Sequence, residues 1–426
     1  MSIFPRRDVY ALGVVLRSFF VCICLVCLWS LWACSGWVKK KDLERPPVPL
    51  EKQSFTWNGL TFIAVDEGQV PDLTVFSKDA LKRTASSNLA FLEVAIKQKN
   101  GTEEKALFPW FIKSNKVLLQ LIDEVQQEGL QDFNAALRQR FTFYRLQIPV
   151  NQPETTMAPG SVLVTGYFQP ELSASYSRTE QYTYPIYAPP PDLVQVDLQD
   201  FDKTLPAKTI FGRVVGNRLT PYYTRAEIEQ GALPMNTPVL AWLASPVQGL
   251  MLHIQGSGIL VFPNGDRRFV HYAANNGHSY RSVGAWLVEH GILPLEQVSW
   301  QSIEAWAKAN PERFLQASFT NPRYIFFRFE EDGPLGVTGR RLEPRYSIAL
   351  DREIYGLGGL FLLYIEGFEG EPFASLVFHQ DVGSAIQGPH RVDLYVGEGY
   401  EAGELAGKLK NMGRLFLLLS KDDPND

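Results

Sequence analysis

Two aspartates, Asp381 and Asp393, stand twelve positions apart in the run that opens Gln380-Asp381-Val382-Gly383 and closes Arg391-Val392-Asp393-Leu394-Tyr395-Val396-Gly397. The residues between them are Gly-rich and nearly uncharged. A carboxyl group in such a semi-apolar setting loses hydration, so its pKa rises toward the range a general acid needs near neutral pH. The same residues also suit turn or edge-strand positions whose oxygens accept backbone N–H groups, and the spacing leaves both readings open. Asp351 is a third carboxylate at an expected strand end. Two carboxylates flanking a bond suit glycoside cleavage, as acid and nucleophile or as acid and base. Hard cations want clustered oxygen ligands, and no EF-hand spacing is present. The six histidines fall into no zinc-binding spacing, so neither a metal nor an organic cofactor is expected.

A second cluster, Gln255-Gly256-Ser257-Gly258, offers amide and hydroxyl groups on a backbone that a ligand can approach closely. A tight hairpin turn is the other reading. The glycines do not complete a dinucleotide fingerprint, and Ser257 is misplaced for a nucleophile elbow. Tyr167, Phe168, Tyr184, Tyr187, Trp242, Tyr272, Tyr280 and Tyr395 recur near the two clusters. Flat rings beside hydroxyl-binding groups suit sugars, although each ring taken singly suits a core.

The elements that must hold these residues follow from periodicity. Apolar residues spaced three and four apart predict helices between about 73 and 145, with Phe133, Leu137, Phe141 and Tyr144 continuing the pattern in a third segment. Beyond Gln152, short β-rich runs punctuated by Gly and Pro predict barrels or sandwiches. Residues 162–168 read as a strand ending in a Gln-Pro turn. Short helices are expected near 281–290 and 299–309, the second with Ser299 as N-cap and Pro311 past its end. Strands are expected at 347–351, 360–365, 375–382, 391–396 and 415–419.

At the N-terminus, Arg6, Arg7 and Arg17 precede an uncharged run from Ser18 to Trp37. That pattern is an export signal or a membrane anchor. All four cysteines lie in or at the end of this run, which leaves no thiol or disulfide chemistry for the rest. Leu31-Trp32-Ala33-Cys34 resembles a lipobox, making Cys34 a candidate lipid attachment site; an uncleaved anchor is the alternative. In either case the body is tethered to a membrane outside the cytoplasm. Lys39 to Pro49 then reads as a linker. The formal net charge of −5, with no basic stripe, excludes nucleic acid as a partner.

Several motifs occur in a fixed order. Thr165-Gly166-Tyr167-Phe168-Gln169-Pro170-Glu171-Leu172 is followed by Tyr184-Pro185-Ile186-Tyr187, Ile254-Gln255-Gly256-Ser257-Gly258, Tyr272 to Tyr280 and Asn321 to Phe327. With the segments around Asp351, Asp381 and Asp393, this order resembles the membrane-bound lytic murein transglycosylase A family, from about Val162 to Leu419. The resemblance implies a mainly β fold with a helical N-terminal part, an α+β chain. A double-psi β-barrel would carry an inserted second β-barrel, with a glycan groove between them. Its boundaries would be 1–34 for the signal or anchor, 35–55 for the linker, 56–168 plus 333–426 for the catalytic barrel and 169–332 for the insert. It implies that Asp393 is the single acid/base. Asp381 would support it by raising its pKa through like charge, with Asp351 as a further supporting residue. Thr165, Tyr167, Gln255, Gly256 and Ser257 would line the groove. Gln387 departs from the Lys usual in the family.

The expected activity is that of a lytic exotransglycosylase on peptidoglycan glycan strands. It would leave a 1,6-anhydromuramoyl end without using water. A peptidoglycan hydrolase and a non-catalytic murein-binding lipoprotein are the alternatives. The resemblance further implies the periplasmic side of a membrane, the outer membrane through Cys34 being favoured over an inner-membrane anchor, and complexes with other cell-wall enzymes.

Overall fold

The computed structural model describes residues 54–98, 106–125, 129–147, 160–206, 208–383 and 385–422. The expected export segment, Cys34 and the linker up to residue 53 lie outside the described residues, and the last two residues assigned to the linker, Ser54 and Phe55, belong to a strand. None of the described helices is long and apolar enough to cross a membrane.

Eighteen strands succeed one another along the described chain. The first four are β1 (Ser54–Trp57), β2 (Leu60–Ala64), β3 (Phe141–Gln147) and β4 (Ser161–Gln169). After them come β5 (Glu171–Ser175), β6 (Tyr184–Tyr187), β7 (Val194–Asp197), β8 (Thr209–Val215), β9 (Arg218–Pro221) and β10 (Val239–Leu243). Next are β11 (Ser257–Val261), β12 (Arg267–Asn275) and β13 (Ile325–Glu330). The last five are β14 (Ser347–Ala349), β15 (Leu360–Phe368), β16 (Glu371–Asp381), β17 (Arg391–Glu398) and β18 (Lys410–Ser420).

A nine-stranded sheet runs β1-β2-β3-β18-β15-β16-β14-β17-β4, and a further pairing of β18 with β4 closes its last six strands into a ring. Two pairs in that ring are parallel, β14 with β16 and β17 with β4. This closed six-stranded ring is the barrel expected to carry the aspartates. Alternation sorts its side chains: Val392, Leu394 and Val396 of β17 join Val162 and Val164 of β4 in the interior core, while the residues between them point outward. Helices α1 (Lys78–Ala95), α2 (Phe108–Glu124) and α3 (Leu130–Arg140) cover one outer side. There Leu81, Leu118, Leu121 and Phe133 pack on Leu360, Leu362, Phe378 and Leu418.

The third helical segment ends earlier than periodicity predicts. Phe141 and Tyr144 belong to β3, where Phe141, Phe143, Tyr144 and Leu146 are all buried between β2 and β18. Phe141 and Phe143 pack into one core cluster and Tyr144 and Leu146 into another, as in a strand covered on both faces, so tertiary pairing overrides the helical spacing.

The turn expected at Gln169-Pro170 is not formed either. The pair carries the chain out of the barrel and directly into β5, the first strand of the inserted sheets. One of these sheets has the order β13-β12-β11-β5-β10-β6 and wraps a core of Leu172, Ile186, Leu243, Leu260, Val270 and Phe327. The ladder leaves β13 and β6 as its two edges. The other sheet, β7-β8-β9, has three strands.

The insert also carries helices. Val283–Glu289 and Trp300–Ala309 are the two expected ones, and Ser299 caps the second in a reciprocal capping box with Ser302. Pro311 opens another helix, Pro311–Phe319, where its missing N–H costs nothing.

Candidate active site

Register brings the predicted chemistry into one row. On β4, Thr165 pairs with Asp393 of β17; Asp393 pairs with Ala349 of β14; and Ala349 pairs with Asp381 of β16. Directly opposed residues share a face of a sheet, so Thr165, Asp393 and Asp381 stand together on the outer wall of the barrel. Their alignment depends on a bulge. Ile348 pairs with His379 but Ala349 pairs with Asp381, so Gln380 is an extra residue in β16. Without that insertion Asp381 would face the barrel interior, because a one-residue slip reverses every side chain beyond it. The bulged Gln380 is fully buried and its amide oxygen accepts from Ser347 Oγ at 2.7 Å.

Asp393 is partly buried, and Thr165 Oγ1 donates to its Oδ1 at 2.8 Å. Burial is the largest influence on this carboxyl and pushes its pKa up to about 6, while the Thr165 hydrogen bond and the nearby Arg391 charge pull the other way. The charge of Asp381 raises it too, but is the smallest of these influences. Desolvation, the cause read first from the semi-apolar setting, is therefore the main one, and the like charge of Asp381 is secondary.

Asp381 is also raised to about 6 by burial. Its Oδ1 accepts from the backbone N–H groups of Val382 at 2.9 Å and Val337 at 3.1 Å. These bonds, the adjacent Tyr167 hydroxyl and the charge of His271 all favour its ionised form. Asp393 has one neutral hydroxyl donor, whereas Asp381 has two backbone donors. The nearby Arg391 charge also favours ionised Asp393, and burial leaves both carboxyls raised to about 6.

Tyr167 lies two residues beyond Thr165 on the same face, and its ring packs 5.3 Å from that of Tyr395, its partner on β17. The Tyr167 hydroxyl is buried without a well-formed hydrogen bond, although it stands close enough to Asp381 to be pushed far above the usual tyrosine range by burial and by that carboxylate.

Asp351 does not join the row. Its two oxygens accept from Glu353 N at 3.0 Å and Gly388 N at 2.8 Å, so it ties down the glycine loop that leads into β17. Gln387 in that loop is exposed.

The second cluster comes from the insert. Residues Pro246–Gln255 form a helix capped by Ser245, and Gly256 ends it in the left-handed conformation at φ 78°. The sequence suggests a hairpin turn or a binding loop for Gln255-Gly256-Ser257-Gly258; the segment is a helix C-cap running into β11. The αL glycine after an apolar run is the signal that marks it. Ser257 Oγ donates to the buried Gln169 Oε1 at 2.6 Å. Because Gln169 lies four residues beyond Thr165 on β4, this contact sets Ser257 about 13 Å along the strand from the Asp393 row. His253, one turn before the cap, is buried and accepts from Ile325 N at 3.1 Å, which fixes the last turn of the helix on β13. His271, opposite Ser257 in β12, reaches the carbonyl of Leu335 through Nε2 at 2.8 Å.

Arg391 and His271 are neighbours of the row that spacing and motif do not single out, although alternation along β17 places Arg391 on the face of Asp393. Among the described residues, no cluster of three or more His, Cys, Asp or Glu side chains is arranged as a metal site. A separate cavity of about 610 Å³ opens beside Glu398 rather than at Asp393; its charges are paired, Arg83 with Glu343 and Arg341 with Glu398.

A closed barrel with this aspartate row and a β-rich insert defines a 3D-domain protein with an MltA specific insert domain. The corresponding family models match residues 346–419 and 163–328, together more than half of the chain. The chain belongs to the membrane-bound lytic murein transglycosylase A family. Membrane-bound lytic murein transglycosylase A of Escherichia coli strain K12 is 32% identical over 268 residues, which span 61% of this chain and 66% of that protein. The Vibrio cholerae protein of the same name is 29% identical over 72% of this chain and 78% of its own length. The crystal structure of the membrane-bound lytic murein transglycosylase from Agrobacterium tumefaciens superimposes with a TM-score of 0.70 at 27% identity, covering 84% of this chain and 98% of that one.

Proposed function

We propose that this chain cleaves the β-1,4 bond between N-acetylmuramic acid and N-acetylglucosamine in peptidoglycan, as a lytic transglycosylase. One observation carries the reading: a partly buried carboxyl, Asp393, pushed up to about 6 and bonded to the Thr165 hydroxyl, in a protein whose relatives bear that name. Asp393 gives its proton to the glycosidic oxygen as the bond breaks. The carboxylate so formed takes the proton of the C6 hydroxyl of the same muramoyl sugar, and that oxygen closes onto C1. The nucleophile is intramolecular, so no water has to be placed or activated. Asp381, tied to two backbone N–H groups, keeps its negative charge near the reacting sugar. Thr165 orients Asp393, Asp351 holds the preceding loop, and Tyr167, Gln255, Gly256 and Ser257 bind sugars along the cleft wall.

Hydrolysis is the second reading, because Asp381 and Asp393 sit two strands apart. That puts their Cα atoms about 10 Å from each other, a spacing that leaves room for a water. Against it, both carboxyls lie on one wall, and Asp381 is engaged by the backbone. Digestion of purified sacculi followed by mass spectrometry separates the two. Transglycosylation gives anhydro ends one water lighter than hydrolytic ends, and sacculus binding without soluble fragments would leave a murein-binding protein.

The chain then divides into an export or anchor segment (1–34), a linker (35–55), the catalytic barrel (56–168 with 333–426) and the substrate-binding insert (169–332). Membrane attachment, named in the relatives, is assigned here to a lipid on Cys34 at the outer membrane, facing the periplasm.

A further inference from the structure

Alternation along β17 puts Arg391, Asp393 and Tyr395 on one face, with Arg391 paired to Leu163 of β4. Successive same-face residues are about 7 Å apart along a strand, so the Arg391 side chain emerges beside the acid. Its Nε is buried with no hydrogen-bond partner, and among the described residues no ion pair or hydrogen bond engages its guanidinium. The three aspartates of this region have other partners: Asp393 accepts from Thr165, Asp381 from Val337 and Val382, and Asp351 from Glu353 and Gly388. Three other arginines are ion-paired. Arg341 pairs with Asp332, Arg267 with Glu171 and Arg328 with Glu330.

A partly buried, unpaired guanidinium costs stability, and a planar fork of donors matches a carboxylate in two-point geometry. We propose that Arg391 is a specificity-determining residue that pairs with a carboxylate carried by the muramoyl side of the substrate. This rests on reading the Asp393 face as a murein glycan site. The shared chemistry has two sources, the lactyl acid of a peptide-free muramoyl residue and a carboxylate of its peptide stem. A neutral chitin-type oligosaccharide offers neither.

The pairing also reaches the acid. The Arg391 charge holds the Asp393 carboxyl down, so neutralising it with a bound carboxylate moves Asp393 toward its protonated form when the correct substrate arrives. Asp381, Tyr167 and Tyr395 face the same space without a positive charge, and His271, the other cationic neighbour of the row, acts on Asp381 while Arg391 acts on Asp393.

Kinetics of Arg391→Gln and Arg391→Lys beside the unaltered protein test the proposal, on peptide-bearing strands and on amidase-treated, peptide-free strands. Chitohexaose binding by calorimetry serves as the neutral control. Arg391→Gln is expected to raise KM on at least one class of strand about 10- to 100-fold, as loss of a charge-assisted hydrogen bond does. It should leave chitohexaose affinity unchanged, while the Lys variant recovers part of the loss. The class of strand that responds identifies the carboxylate. The alkaline limb of kcat/KM should also move to higher pH in the Gln variant, a shift that a misfolded variant would not give. Unchanged KM on both classes of strand, or a matching loss on chitohexaose, would overturn the proposal. Absence of cleavage by the unaltered protein would instead overturn the functional reading beneath it.

Discussion

At the residue scale the proposed mechanism turns on the proton of Asp393. Desolvation raises this carboxyl to about 6, and the Thr165 hydrogen bond opposes it more strongly than the Asp381 charge assists it. In the proposed role of general acid, Asp393 works only while protonated, so its loss of the proton would set the alkaline limb of the pH–rate profile. Thr165→Val removes a bond to the ionised form and should move that limb upward. Asp381→Asn removes a like charge and should move it downward, by less; initial rates on sacculi at closely spaced pH values resolve the order, and a larger shift from Asp381→Asn would refute it. Stability carries the same signature with a definite sign. The folded pKa lies above the unfolded value near 4, so the folded form gains protons relative to the unfolded one between pH 4 and 6, and stability declines as pH rises through that window. Asp393→Asn should therefore stabilise the protein above pH 6, by up to about 3 kcal/mol, and make little difference below pH 4. Urea unfolding at pH 7.5 and at pH 4 measures both. The identity of the three aspartates was legible in the sequence; their unequal partners were not, because the donors come from residues as distant as Val337.

At the element scale, the bulge at Gln380 decides which way Asp381 points, and the loop after β13 decides how it is bound. Gly336 lies so close to β16 that a Cβ added there would sit 2.3 Å from the Gln380 carbonyl oxygen. Gly336→Ala must push the loop away and break the Val337 bond to Asp381, with an expected loss of about 1–3 kcal/mol and of activity together. Thermal unfolding and sacculus digestion would show both losses, and a variant with unchanged Tm and rate would contradict this account of the loop. Ordinary strand alternation was readable before the structure, which is why β4, β15, β17 and β18 fall near their expected places. The bulge was not, since nothing in His379-Gln380-Asp381 distinguishes an inserted residue from a paired one. The helix 246–255 escaped for a different reason: Val247, Leu250, Met251 and Ile254 keep helical spacing, but the segment is only ten residues long and the glycines at its end read as a turn, so the Ser-Pro start and the αL glycine are what mark its ends.

At the scale of the whole molecule, the order of motifs conveyed the architecture, because a barrel interrupted by an insert leaves its last strands far from β4 in sequence and beside it in space. The return of the chain to pair β17 with β4 is what assembles the Thr165–Asp393 contact across 228 positions. The N-terminal segment acts at this scale too. If the lipid on Cys34 is the tether, Cys34→Ala should abolish labelling by radioactive fatty acid, and fatty-acid labelling with membrane fractionation tests this. A labelled variant, or an unlabelled parent still in the membrane fraction, would favour an uncleaved anchor.

The central claim is that one carboxyl, Asp393, performs both proton transfers and that water takes no part. Digestion of sacculi in ¹⁸O-labelled water by the protein and by Asp393→Asn tests it most directly. The account predicts unlabelled anhydro ends from the unaltered protein and a rate lower by about 100- to 10,000-fold in the variant. Labelled reducing ends, or a variant that still cleaves at the parent rate, would contradict it.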